Sequence, residues 1–126
     1  AGDLNGDGWL DLIVGDERTG SRVFLNDGRG SLVAGVALGE ASLAPGAIVV
    51  ADMNRDGRAD VVIGHAGAPG TVWFGDGSGR GFAPVRFGDG KGAVYGIAVG
   101  DLNGDGSPDI ATARSDAPNV MFFSAK

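Results

Sequence analysis

A chain of 126 residues with a formal charge of −6 and 25 glycines is acidic and rich in turns. That charge excludes nucleic acid and anionic membranes as partners, since both draw in proteins through Lys and Arg. Cysteine is absent, which excludes a disulfide framework and thiol chemistry, and no apolar stretch has the length for membrane insertion.

In chain order the first element is an acidic loop, Asp3-Leu4-Asn5-Gly6-Asp7-Gly8-Trp9-Leu10-Asp11. The apolar run Leu12-Ile13-Val14 predicts a strand, as do Val23-Phe24-Leu25 and, beyond the turn Asn26-Asp27-Gly28, Leu32-Val33. Ala47 to Ala51 predicts a buried inner strand before a second loop, Asp52-Met53-Asn54-Arg55-Asp56-Gly57-Arg58-Ala59-Asp60. Ala59 to Gly64 is then a second strand and Thr71 to Phe74 a third. Gly75 to Gly79 is a hairpin turn, because Asp-Gly suits the positive φ such turns require. Gly81 to Phe87 is an outer strand, where Pro84 is tolerable because edges need fewer donors. Gly88 to Gly92 connects to Val94–Val99, and the third loop is Asp101-Leu102-Asn103-Gly104-Asp105-Gly106-Ser107-Pro108-Asp109. Ile110–Thr112 and Val120–Phe123 complete the series. Nothing predicts a helix.

The first aspartates stand at 3, 52 and 101, a step of 49 each time. Repeats of this size bury their apolar faces against their neighbours. The fold class is therefore all-β: blades of four antiparallel strands, about two and a half of them, in units 1–49, 50–98 and an incomplete 99–126. The first unit is short of its innermost strand and the third of its outermost. Because the chain opens inside a repeat, it reads as a processed or partial polypeptide. Open wedges of blades invite self-association or docking against the rest of a longer protein. Trp73, Phe74, Phe82, Phe87, Tyr95, Phe122 and Phe123 are expected to pack between blades.

The loop chemistry points to calcium. Carboxylates and a carboxamide at loop positions 1, 3, 5 and 9 supply hard oxygens, of which this ion takes about six to eight. The candidate ligands are Asp3, Asn5, Asp7 and Asp11; Asp52, Asn54, Asp56 and Asp60; and Asp101, Asn103, Asp105 and Asp109. Position 7 is Trp9, Arg58 or Ser107, side chains with no chemistry in common, so each is expected to offer its backbone carbonyl. Gly8, Gly57 and Gly106 sit where the loop turns sharply. An EF-hand would need a glutamate at position 12 and flanking helices; here that position is Val14, Ile63 or Thr112. A dockerin also needs helices. About three calcium ions per chain are expected, and their binding should be coupled to folding.

Asp-x-Asn-x-Asp-Gly-x-x-Asp followed by an apolar strand, with a later strand ending in Asn-Asp-Gly or Gly-Asp-Gly, resembles the FG-GAP/VCBS repeat family. That resemblance spans the whole chain and implies calcium-bearing propeller blades, with the metal loop between the innermost strand and the second. It also implies an extracellular or cell-surface setting, where calcium is plentiful. The expected role is a non-enzymatic structural or interaction module whose partners are copies of itself, the remainder of a propeller or an extracellular protein. The alternatives are a lectin, with Trp9 stacking on a sugar face, and an accessory domain of a polysaccharide-degrading enzyme. His65 is expected to be a solvated loop residue outside the repeat framework, since 49 positions away stand Asp16 and Arg114. No nucleophile elbow or paired catalytic carboxylates stand out.

Overall fold

The computed structural model describes residues 1–125 and contains ten strands in three antiparallel sheets, with no helix among those residues. The first sheet is β1 (Leu12–Asp16), β2 (Gly20–Asn26) and β3 (Leu32–Leu38). The second is β4 (Pro45–Ala51), β5 (Asp60–His65), β6 (Gly70–Gly75) and β7 (Phe82–Phe87). The third is β8 (Ala93–Gly100), β9 (Asp109–Ser115) and β10 (Val120–Phe122). Strands adjacent in sequence are adjacent in each sheet, so each sheet is a meander, or blade, and none closes on itself. Where the inner strand of the second sheet runs, the first has only a bridge between Gly2 and Asp11.

The core is built around β5. Val61 pairs with Val50 on one side and Trp73 on the other, and Val61, Val62 and Ile63 are fully buried. Successive side chains of a strand point to opposite faces, so this strand serves two interfaces. Val61 and Ile63 join Leu4, Val23, Leu25 and Leu38 against the first sheet. Val62 joins Val72 and Ile110 against the third. A strand covered on both faces needs no polar alternation, which is why 61–63 is an unbroken apolar run. Each such side chain contributes about 1.5–3 kcal/mol on burial.

Where the second and third sheets come closest, the backbone itself is the limit. A Cβ on Gly46 would collide with the carbonyl oxygen of Val94. Phe87 and Phe122 fill the outer part of the same interface edge to face, with ring centroids 5.2 Å apart. Pro84 lies on β7, opposite Trp73 at the free edge of its sheet, where a missing N–H costs no ladder bond.

Two aromatics expected to be packed between blades are left largely in solvent. Tyr95 is 71% exposed and Phe123 is 55% exposed. Tyr95 sits at the bulge where β8 and β9 shift register between Val94 and Gly96. Phe123 lies past the end of β10 and, beside Phe122, lines the open groove between the second and third sheets. His65 also departs from expectation: it is buried at the end of β5, opposite Pro45.

Candidate metal centre

The three acidic loops share one hydrogen-bond plan. In the first, Asp3 Oδ1 accepts from the N–H groups of Gly6 (2.8 Å) and Asp7 (3.2 Å), and its Oδ2 accepts from Gly8 (2.9 Å). Asn5 Oδ1 accepts from the Asp7 N–H, Asp7 Oδ1 accepts from the Trp9 N–H, and Asn5 Nδ2 donates to Asp7 Oδ2 at 3.0 Å. Asn54 and Asp56 repeat that contact at 3.1 Å, and Asn103 and Asp105 repeat it at 3.0 Å. Asp52 accepts from Asp56 and Gly57; Asp101 accepts from Gly104, Asp105 and Gly106. These bonds wrap the chain around positions 1, 3 and 5, which remain exposed for the most part.

One residue breaks the uniformity. Position 4 is Gly6 in the first loop and Gly104 in the third, at φ of 73° and 78°, but Arg55 in the second, at φ 63°. A side chain in that left-handed region costs about 1–2 kcal/mol. The N–H of Gly6 and that of Gly104 each reach the first aspartate, whereas in the second loop only Asp56 and Gly57 donate to Asp52 among the described residues. The Arg55 side chain extends toward the third loop, its Nη1 lying 3.6 Å from where a Cβ on Gly106 would stand.

The aspartate at position 9 is different in kind. Asp11, Asp60 and Asp109 are all fully buried. Asp60 accepts from the Met53 N–H (2.7 Å) and the Gly75 N–H (2.9 Å). Asp11 does the same with Leu4 and Asn26, and Asp109 with Leu102 and Ser124. Each carboxylate thus ties the second residue of its loop to the end of the third strand of its blade. Burial pushes the Asp60 carboxyl above the usual carboxylate range, against the pull of its two backbone bonds, and the charges of Asp56 and Asp52 add to the rise. Asp3, by contrast, is held below that range, first by the Gly8 N–H.

The donor chemistry fits a hard divalent cation: exposed carboxylate and carboxamide oxygens at positions 1, 3 and 5, preset by backbone bonds, with a buried carboxylate behind them. Among the described residues, no three acidic or imidazole side chains already converge as a closed cage. At position 9 both oxygens accept from backbone N–H groups, as both oxygens of Asp3 do at position 1. Asp3, Asn5 and Asp7, with their counterparts in the other loops, would be the first to hold an ion. The position-7 side chains lie elsewhere: the Trp9 ring packs over Gly28 of the β2–β3 turn, and Arg58 over Gly77 of the β6–β7 turn. Trp9 is 52% exposed and rests on its own blade rather than on a neighbour.

Sequence reasoning missed one framework position. Asp16, His65 and Arg114, each 49 residues from the next, all secure the turn that follows the second strand. Asp16 Oδ1 accepts from the N–H groups of Arg18 and Thr19, both at 2.8 Å. His65 Nδ1 donates to the Pro69 carbonyl at 3.0 Å, and Arg114 Nε donates to the Pro118 carbonyl at 2.7 Å. Arg114 also pairs with Asp89 of the inter-blade connection at 2.6 Å. Three unlike side chains do one job, so comparing residue types across the repeats hides it.

A family model described as FG-GAP-like repeat matches the chain twice, over residues 3–63 and 57–112. No curated protein and no solved structure matches it. The two matched spans take in all three acidic loops.

Proposed function

This chain belongs to the FG-GAP-like repeat family, and we propose that it is a calcium-binding, non-enzymatic module that presents propeller-like blades for protein interaction. The observation that carries this reading is the hydrogen-bond plan repeated in three loops, each of which gathers oxygens at positions 1, 3 and 5 and backs them with a buried aspartate. Calcium suits such a set because it accepts many oxygen ligands in flexible geometry. Three such ions would carry a charge equal and opposite to the chain's −6. An ion in the second loop would also relieve the repulsion that Asp56 and Asp52 exert on Asp60. Sites of modest affinity fill outside the cytosol, which supports an extracellular setting.

Isothermal titration of the metal-stripped chain with calcium, alongside thermal melts in calcium and in chelator, tests the reading. We expect about three ions per chain and a higher melting temperature with calcium, since a ligand of the native state alone stabilises it by mass action. Identical melts in calcium and chelator would overturn it. Turnover of an acidic polysaccharide by the chain would overturn the non-enzymatic assignment.

One observation favours a lectin as the second reading. Trp9 has one ring face on Gly28 and half its surface in solvent beside an acidic loop, a placement suited to stacking on a sugar. Glycan binding that disappears in Trp9→Ala would favour it.

A further inference from the structure

Neighbouring loops face each other at matching positions. Gly6, at position 4 of the first loop, and Gly57, at position 6 of the second, line one gap of about 360 Å³ together with Asp3 and Arg58. The same pair one unit later is Arg55 and Gly106. There a side chain crosses the gap: Nη1 of Arg55 reaches to 3.6 Å from where a Cβ on Gly106 would stand. Arg55 also borders the groove between the second and third sheets beside Ser107, the next residue of the third loop. Both gaps lie between loops that the chain holds whole.

The second loop gives up a good deal to place this arginine. Its backbone is left-handed at φ 63°, where glycines stand in the other two loops. Asp52 receives no bond from position 4 among the described residues, although Asp3 and Asp101 each do. A long side chain is also held across the gap at a cost in rotamer freedom. Strain of this kind persists only where the surrounding structure imposes it, and it gathers at working sites.

What it gains is a positive charge beside the third loop. That loop carries Asp101, Asp105 and Asp109 and no basic residue of its own. The N–H of Gly106, on which Arg55 closes, donates to Asp101 Oδ2 at 2.8 Å. Like charges so near repel, as Asp56 and Asp52 do on Asp60 in the second loop. Arg58, the other arginine of the second loop, serves its own blade. It packs over Gly77, and its charge adds to the Ser78 hydroxyl bond that first holds Asp76 below the usual carboxylate range.

We propose that Arg55 is the resident counter-charge of the third loop: its guanidinium offsets the repulsion among those carboxylates in the metal-free chain, and an ion entering the loop binds against it. The second half rests on the calcium-binding reading above and makes the three loops unequal. A unit charge roughly 8 Å from a divalent ion in water lowers its affinity about fivefold, and salt screens the effect over that distance. The third loop is thus tuned by its neighbour, through a residue that binds no ion itself.

Titration of the metal-stripped chain with calcium chloride tests this. Asp101→Asn identifies the third-loop step as the one it removes, and Asp105→Asn serves if that variant does not fold. Arg55→Gln keeps the left-handed backbone and much of the length; it should tighten that step about fivefold in dilute buffer. The gain should shrink at roughly 0.5 M salt. Arg55→Lys keeps the charge and should leave the step within about twofold. An unchanged third-loop step, or a gain in the two steps that survive Asp101→Asn, sinks the proposal and leaves the calcium reading standing. If no chain binds calcium, that reading falls, and the counter-charge is decided by denaturation in chelator. There Arg55→Gln should lower the folding equilibrium constant about threefold in dilute buffer, and clearly less in the Asp101→Asn background. Losses that simply add would show that the arginine does not serve this loop.

Discussion

Gly64 lies beneath Val94 at the meeting of the second and third sheets, so closely that a Cβ on the glycine would stand 2.5 Å from Cγ1 of the valine. Neither backbone can retreat without opening the Val62–Ile110 contact behind it. Gly64→Ala should therefore cost about 1–3 kcal/mol through overpacking. Gly96→Ala, where the nearest atom is the Ala113 Cβ at an ordinary 3.5 Å, should be neutral or slightly stabilising in the same urea titration. Equal losses from the two would remove the steric explanation.

Asp60→Ala leaves the N–H groups of Met53 and Gly75 buried without their acceptor. At about 1–3 kcal/mol for each orphaned group, the loss should total about 2–6 kcal/mol. That loss should persist in chelator, because the bonds need no ion. A variant that loses stability only when calcium is present would show that Asp60 acts through the metal rather than through the backbone.

Much of this architecture was legible in the chain itself. Apolar runs such as 61–63 and turns such as 26–28 marked strands and hairpins, because burial and positive φ select residue types strongly. The direction of a side chain's oxygens is another matter. Spacing alone places Asp11, Asp60 and Asp109 with the other loop carboxylates, and only the fold shows their oxygens turned to backbone N–H groups. His65 was hidden for a related reason: it secures its turn by donating to the Pro69 carbonyl, a task Arg114 performs by donating to the Pro118 carbonyl and Asp16 by accepting from backbone N–H groups. Tyr95 was misplaced because a bulge shifts the register without leaving a mark in residue type.

Arg55 holds a left-handed backbone where its two counterparts are glycine. Arg55→Gly should relieve that strain and stabilise the chain by up to about 1 kcal/mol, offset in part by the greater freedom of glycine in the unfolded state. Chemical denaturation in chelator gives the value free of any ion effect. A clear loss instead would mean that the reach of Arg55 toward Gly106 outweighs the strain.

Acid should act through exposed turn carboxylates. The Arg18 N–H, followed by the Thr19 N–H and hydroxyl, holds the Asp16 carboxyl below the usual range. Its stabilising contribution is therefore complete above the unfolded value near about 4 and fades as pH falls through the lower folded value. Asp60, raised by burial, works in the opposite sense: it favours the fold at low pH and loses that contribution as pH rises through its folded value. Asp16→Asn keeps an acceptor for the turn but removes the titration. In chelator, its stability between about pH 2 and 4 should fall less steeply than that of the parent chain. An unchanged slope would mean that other carboxylates, such as Asp76 and Asp89, govern acid unfolding.

The clasp from Asp60 to Met53 and Gly75 closes entirely within one unit, as do those from Asp11 and Asp109. A gene segment encoding such a unit carries its own fastening, so a tandem duplication delivers a blade that needs nothing new from its neighbours except an apolar face. Blade number can then drift by whole units while each loop stays intact. Lineages built from this module should differ in how many blades they string together far more readily than in how any one blade is tied.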